Sequence, residues 1–437
     1  MFVTVQQPEP RHISDDDHAW RRRRDATSAF LGEFVAVPES SPLAELSSLG
    51  HWTEQVRNQT YFSALTRVGS IAETSLSGQS HHKLGADSVQ FSYQRHDLRL
   101  QQRNWLRFLY FTSSVETTAD GLLFSCGMSA LAAALAVIHK RGFHSMQFSS
   151  EPYFESWLLT QRFFPQITLE QTQAEFSNTS DVVVLDTASA VWPVFPKKRG
   201  ALQLIVIDTS CVAPDSPLVE RWICSARRLD VPLLLVRSHV KLDAFGIEPG
   251  RLGSVLVVAK SELATTEYMA ELRQARSGFG STFSALSLYP WLGSPDFAEL
   301  TNSRVTQIRR TTSALAHDLS TRIEARDSIG IRPTEHRIFL LVETGLLHET
   351  PAVGSQQGGS PTLSESIATR AQNEGLLVCH APSFGLDVVT VTDFVNIHDN
   401  RHYLRVSGAD LPAWMVPTLA DVILVEIRNR EDHRAPA

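Results

Sequence analysis

The sequence predicts an α/β protein built on a mostly parallel sheet, and three observations predict it. Short aliphatic runs recur along the middle of the chain: Asp181–Asp186 (DVVVLD), Ala201–Asp208 (ALQLIVID), Leu233–Val236 and Val255–Val258. They are apolar at consecutive rather than alternate positions, the pattern of strands buried on both faces. Segments of helical character separate them, Pro217–Asp230 being an amphipathic example. Finally, Asp186, Asp208 and Lys241 fall at or just past the ends of these runs. Open α/β sheets place their ligands at the carboxyl ends of the strands.

At 437 residues the chain has room for two or three domains and a large core. Its apolar content of 43% and charged content of 20% are ordinary for a globular protein. A formal charge of −7 argues against nucleic-acid binding through a general basic field. The one basic run, Arg21 to Arg24, is flanked by Asp15 to Asp17 and Asp25, and reads as a solvated helix face or arm. Cys126, Cys211, Cys224 and Cys379 are far apart and form no CxxC pair, which predicts reduced, mostly buried thiols and a cytoplasmic protein. The N-terminus has no apolar signal-peptide core, and no run of about 18 apolar residues occurs, so no membrane partner is expected.

In chain order, residues 1–75 read as a polar extension, with helices around His18–Phe34 and Leu43–Val56. Ser75–Lys83 reads as a surface loop. His81 and His82 are adjacent, with no carboxylate or cysteine at ligand spacing, so no metal site is expected there. Residues 76–300 hold the strand-rich pattern of a large domain. An Ala/Leu-rich helix follows Ser129 and ends near Arg141, with Gly142 placed to cap it. A helix over Asn302–Arg326 leads into residues 301–437, a smaller C-terminal domain. Its strands are expected at Ile338–Val342, Leu376–Cys379, Val388–Val391 and Tyr403–Val406.

Several residues have chemistry to offer. Only six lysines stand among the 40 basic residues, and Lys241 lies just past a buried run, placed to become a desolvated amine. Gly127 and Ser129 open the Ala/Leu-rich helix, where they read either as an anion site made by its first backbone N–H groups or as a plain N-cap on a buried helix. Tyr93 and Arg95 would project to the same side of an extended chain and could together grip a phosphate.

In order and spacing these pieces, over about residues 90–410, resemble the fold-type I pyridoxal-phosphate enzymes of the aminotransferase superfamily. Ser238-His239-Val240-Lys241 followed by Arg251-Leu252-Gly253 looks like that family's Ser-x-x-Lys…Arg-x-Gly loop. The resemblance implies that Lys241 forms a Schiff base with the cofactor, and that Ser238 and Arg251 hold its phosphate. Asp208, 33 residues before Lys241, matches the aspartate that pairs with the pyridine nitrogen. Cys126-Gly127-Met128 resembles the phosphate turn of the cystathionine branch, and Tyr153 the aromatic residue stacked on the ring. Tyr93 and Arg95 resemble the pair that reaches the partner subunit's phosphate. Arg405 matches the arginine that binds the substrate carboxylate, and Gly375–Gly385 resembles the strand and turn before it.

Many members have Asn-Pro after the strand ending at Asp186. This chain has Thr187-Ala188-Ser189, so the hydrogen bond to the cofactor's 3′ oxygen would come from Thr187 or Ser189. The implied fold is a large domain with a mostly parallel seven-stranded sheet sandwiched by helices, plus a smaller C-terminal α+β domain. The implied protein is a homodimer with active sites at the subunit interface. Its implied chemistry starts from an amino acid held as an external aldimine, with Lys241 as base at Cα and Tyr153 and Asp208 assisting. The expected outcome is β- or γ-elimination or replacement, with C–C bond formation from an activated substrate such as S-adenosylmethionine, in specialised biosynthesis, as one form of it. Transamination to a 2-oxo acid is the alternative, and a non-catalytic scaffold of the same fold a further one.

Overall fold

The computed structural model describes residues 15–35, 52–60, 80–84, 87–91, 99–100, 102, 104–112, 118–284, 287–324, 329–344, 361–395 and 401–432. The N-terminal part contributes helix α1 (Asp15–Gly32) and a second helix, α2, over residues 52–60. A small antiparallel sheet follows, made of β1 (Ser80–Leu84), β2 (Asp87–Phe91) and β3 (Arg99–Leu100). The segment expected as a surface loop is therefore partly strand: His81 and His82 pair with Gln90 and Val89. A polar sequence can form such a strand because ladder hydrogen bonds need no apolar side chain. Tyr93, Arg95 and the 43–51 part of the second expected helix lie outside the described residues.

The large domain alternates strands and helices. Helix α3 (Trp105–Tyr110) precedes β4 (Thr118–Phe124), α4 (Gly127–Lys140), β5 (Ser145–Ser149), α5 (Phe154–Phe163) and β6 (Thr168–Thr172). Then come β7 (Val182–Asp186), β8 (Leu204–Asp208), α6 (Pro217–Leu229), β9 (Leu233–Ser238), β10 (Gly253–Ala259) and α7 (Glu262–Gly278). The strands form one seven-stranded sheet in the order β4-β10-β9-β8-β7-β5-β6. β10 is antiparallel to both its neighbours, and the other pairs are parallel.

Alternation along each strand explains why the runs are apolar throughout. Val183, Leu185, Ile205, Ile207, Leu233 and Leu235 enter one core, and Val182, Val184, Leu204, Val206, Leu234 and Val236 the other.

Helix α8 (Pro295–Arg322) leads to the C-terminal domain. Its five-stranded sheet has the order β11 (Gly330–Pro333), β12 (Phe339–Glu343), β15 (His402–Ser407), β14 (Val389–Val395), β13 (Val378–His380). Helices α9 (Leu363–Asn373) and α10 (Met415–Asp432) pack with α8 around a third core, which includes Leu315, Ile367, Leu404 and Ile423. The fold expected from the resemblance is the one observed: a mostly parallel seven-stranded sheet among helices, followed by a smaller α+β domain.

Two expectations from composition need correcting. The arginine run is a helix face solvated only in part: Arg22 is exposed, but Arg24 is buried against Asp387 at 2.9 Å, and Arg23 binds Asp410 at 2.7 Å. Partners more than 350 positions away cannot be read from local charge pattern. All four cysteines are free, as expected, but only Cys211 is fully buried, and Cys224 is exposed on α6. No helix among the described residues is long and apolar enough to cross a membrane.

Candidate active site

Parallel strands bring their carboxyl ends to one edge, and the site lies there. Asp186 and Asp208 are register partners closing β7 and β8. Asp186 Oδ1 accepts from Ala188 N at 2.8 Å and Oδ2 from Tyr153 N at 2.9 Å. Asp208 Oδ1 accepts from Ser210 N at 2.8 Å. Two carboxyls buried side by side disfavour ionisation. Burial, with the charge of Asp208 adding to it, lifts the Asp186 carboxyl to about 7. Burial raises Asp208 too, against the hydrogen bonds of Ser210 and the charges of Arg237 and Lys241.

Lys241 stands three residues past β9, in the loop that returns as β10. Its Nζ donates to Ser383 Oγ at 2.9 Å and lies 5.1 Å from the centre of the Phe384 ring. Burial lowers its pKa, opposed by the nearby Glu248 carboxylate and assisted by Arg405. Ser383 also donates to Glu248 Oε1 at 3.3 Å, so the amine is tethered through a hydroxyl to a carboxylate. The turn carrying Ser383 can approach because Gly385 (φ 77°) has no Cβ, which would lie 2.4 Å from the Lys241 carbonyl oxygen.

The loop itself is pinned from below. Arg237, with no solvent exposure, donates from Nε and Nη2 to Asp243 and from Nη1 to the carbonyls of Thr209 and Val212. His239 Nδ1 is 2.6 Å from Asp243 Oδ2, and its Nε2 is 2.9 Å from Ser254 Oγ. Asp243 can only accept when ionised, so Nδ1 carries the proton and Nε2 accepts from Ser254. The Arg237 guanidinium holds Asp243 down to about 2 despite its burial, whereas burial lowers His239 and keeps it neutral.

The turn from β4 into α4 is the anion candidate. Cys126 caps the helix, its Sγ accepting from Ser129 N while Ser129 Oγ accepts from Cys126 N. A Cβ on Gly127 would lie 2.6 Å from Ser238 Cβ, and one on Gly253 would lie 2.3 Å from the Cys126 carbonyl oxygen. Helix N-terminus, Ser238 and Gly253 thus close on one small volume, with Met128 in the first helical turn. Arg251, two positions before Gly253, is exposed.

Arg405, on β15, faces the site from the C-terminal domain. It is 9% exposed, and its Nε and Nη2 have no hydrogen-bond partner among the described residues. Its guanidinium lies 5.4 Å from the Phe339 ring centre, and burial lowers its pKa. It lines a cavity of about 390 Å³ together with Tyr153, Ala188, Phe339 and Phe384. Tyr153 is the N-cap residue of α5, and burial, then Glu155, raises its phenol. Thr187 and Ser189 are buried with their hydroxyls engaged, Thr187 Oγ1 accepting from Cys211 N and Ser189 Oγ sharing a 2.7 Å bond with Ser149 Oγ.

The structure therefore brings together Lys241, Asp208, Tyr153, Ser238, Gly127 and Arg405 around the strand ends. These groups fit pyridoxal phosphate: a buried amine, a carboxylate beside it, a tight backbone cradle, and a buried guanidinium with unused donors. Sequence reasoning missed Ser383, Asp186 as the anchor of Tyr153, and the Arg237–Asp243–His239 network. Only Pro382-Ser383-Phe384-Gly385, a turn signal, hinted at the first.

No protein-family model matches the chain, and no curated protein matches it. Solved structures similar to it include metB from Corynebacterium glutamicum, 15% identical, with a TM-score of 0.48, covering 71% of this chain and 81% of that one. Apo CalE6, a methionine gamma lyase from Micromonospora echinospora, is 15% identical with a TM-score of 0.46, covering 70% and 80%. An aromatic amino acid aminotransferase from Burkholderia cenocepacia is 14% identical with a TM-score of 0.44, covering 74% and 79%. The sheet order and the two-domain division stand on the chain's own geometry: this is an α/β protein with the architecture that its resemblance to fold-type I enzymes implies.

Proposed function

We propose that the protein is a pyridoxal-phosphate-dependent enzyme acting at the Cα of an amino acid, and that the reaction is completed by elimination or replacement at the β or γ carbon. The observation that carries this is a buried, hydroxyl-tethered Lys241 on one side of Phe384, with Arg405, whose Nε and Nη2 have no partner among the described residues, lining the cavity that Phe384 shares.

Lys241 would hold the cofactor's aldehyde carbon, Asp208 its ring nitrogen, and Ser238 with the first turn of α4 its phosphate. When bound, the cofactor supplies an electron sink for negative charge developing at Cα. Arg405 binds the substrate carboxylate through two parallel N–H donors, which fixes how Cα faces Lys241. With its pKa lowered by burial, Lys241 Nζ has a larger neutral fraction, and the neutral amine takes the Cα proton. The Ser383 hydroxyl holds Nζ in place while it does so. Asp186 fixes the start of α5, and with it Tyr153, by accepting from the Tyr153 N–H.

Elimination or replacement is preferred because Cys126-Gly127-Met128 resembles the phosphate turn of the cystathionine branch, and because Arg405 is the cation among the described residues lining the cavity, which disfavours a dicarboxylic amino-group acceptor. A dicarboxylic amino-group acceptor would place its second carboxylate against an apolar wall.

The test is the visible spectrum of the purified protein with pyridoxal phosphate, wild type beside Lys241→Ala. A band present in the wild type and missing from the variant is expected. Its absence from both would overturn the proposal and leave a non-catalytic scaffold as the reading. Stoichiometric amino-group transfer to an added 2-oxo acid would replace elimination by transamination.

A further inference from the structure

The cavity beside Arg405 has a composition that the reaction chemistry does not require. Its volume of about 390 Å³ is that of a small-molecule site. Phe154 and Phe339 contribute to its wall, as do Phe384 and Phe394. Two of these are exposed, Phe154 at 52% and Phe394 at 37%. They come from different domains, Phe154 from the start of α5 and Phe394 from β14. Both belong to aromatic pairs that orient them, Phe154 with Tyr153 at 5.1 Å and Phe394 with Tyr403 at 5.9 Å.

The charged groups of the cavity are accounted for, with one exception. Glu151 is bound by Arg332 at 2.8 Å, and Arg332 also donates to Tyr403 Oη at 2.8 Å. Asp393 accepts from Ser364 N at 3.1 Å and from the Ser364 hydroxyl. The exception is Arg405, whose Nε and Nη2 have no partner among the described residues. One end of the cavity thus offers a guanidinium with two unused nitrogens, and much of the remaining wall is aromatic carbon, beside Tyr153 and Thr392.

We propose that the substrate is an amino acid whose departing group on the β or γ carbon is large and apolar, aromatic or branched aliphatic; its carboxylate meets Arg405 and that apolar group lies among Phe154, Phe339, Phe384 and Phe394, leaving with the electron pair of the broken bond. This rests on the cofactor reading above and narrows it. An acidic side chain would lose its hydration with no cation to receive it, and a small one would leave the aromatic wall uncovered.

Isothermal titration with reduced phosphopyridoxyl conjugates of L-phenylalanine, L-leucine, L-alanine and L-aspartate separates the two claims, with pyridoxal phosphate itself as the reference. The phenylalanine and leucine conjugates are expected to bind about tenfold or more tighter than the alanine conjugate, and the aspartate conjugate weakest. Phe154→Ala, a change at an exposed position, should reduce the preference for phenylalanine over alanine several-fold. Equal affinities, tightest binding of the aspartate conjugate, or an unaltered preference in Phe154→Ala would overturn the substrate assignment. So would binding of pyridoxal phosphate without any conjugate, and in each of these cases the cofactor reading stands. Failure of pyridoxal phosphate and every conjugate to bind would overturn both.

Discussion

Burial acts in opposite directions on the two ends of the site. It lowers the amine of Lys241 and raises the carboxyl of Asp186, because in each case it disfavours the charged form. For Asp186 this has a consequence for stability. Its carboxyl moves from 3.8 to about 7 on folding, so the folded state favours the protonated form. The contribution is fully present below 3.8 and is lost as pH rises through about 7. Asp186→Asn should therefore flatten the fall in thermal midpoint across that interval in cofactor-free protein. The midpoint itself should drop, since an amide can accept only one of the two backbone N–H groups, and leaving the other unmet costs about 1–3 kcal/mol. Calorimetry at a series of pH values checks this, and an equally steep fall in both proteins would refute it.

Among the elements, the β9–loop–β10 hairpin shows how the lysine is held. Arg237 leaves the apolar strand β9 fully buried and finds its charge partner in Asp243, six residues on. Asp243→Asn would strand that guanidinium without a counter-charge, at a cost of about 3–5 kcal/mol. A lower denaturant midpoint with an unchanged slope is the expected result, and an unshifted midpoint would show that the pair contributes nothing. The same hairpin shows what a sequence can reveal. Leu233–Val236 and Val255–Val258 stand out because both faces of those strands are buried, and so do β7 and β8. Edge strand β6, with the polar sequence Thr168–Thr172, gives no such signal because it pairs on one side only and stays partly exposed. Asp208 and Lys241 were legible because their places at strand ends follow from local order. Ser383 was not, since its contact with Lys241 spans 142 positions and exists only once two domains have met.

Over the whole molecule, α1 acts as a strap. Arg24 joins Arg304 on the buried carboxylate of Asp387, Trp20 Nε1 donates to the Asp410 carbonyl at 2.8 Å, and Arg23 binds the Asp410 side chain. Gly246, in the lysine loop, packs on Asp387 so closely that a Cβ there would lie 2.7 Å from it. Arg24→Ala keeps the Arg304 pair but frees the strap on one side. It should speed amide exchange in residues 15–32 while leaving β7 and β8 protected, as hydrogen-exchange mass spectrometry would read. Unchanged exchange in α1 would mean that Trp20 and Arg23 suffice to hold it.

The strap also sets a schedule for biosynthesis. Trp20 and its acceptor on Asp410 are 390 positions apart. At ribosomal rates of about 5–20 residues per second, Trp20 waits roughly 20–80 s for that acceptor. Phe30, which meets Phe245 at 5.7 Å, can be covered once the large domain is made, but the Trp20 indole waits for Asp410. The polar ties that fasten α1 to Asp387 and Asp410 are thus completed late in synthesis, long after the helix itself has been made.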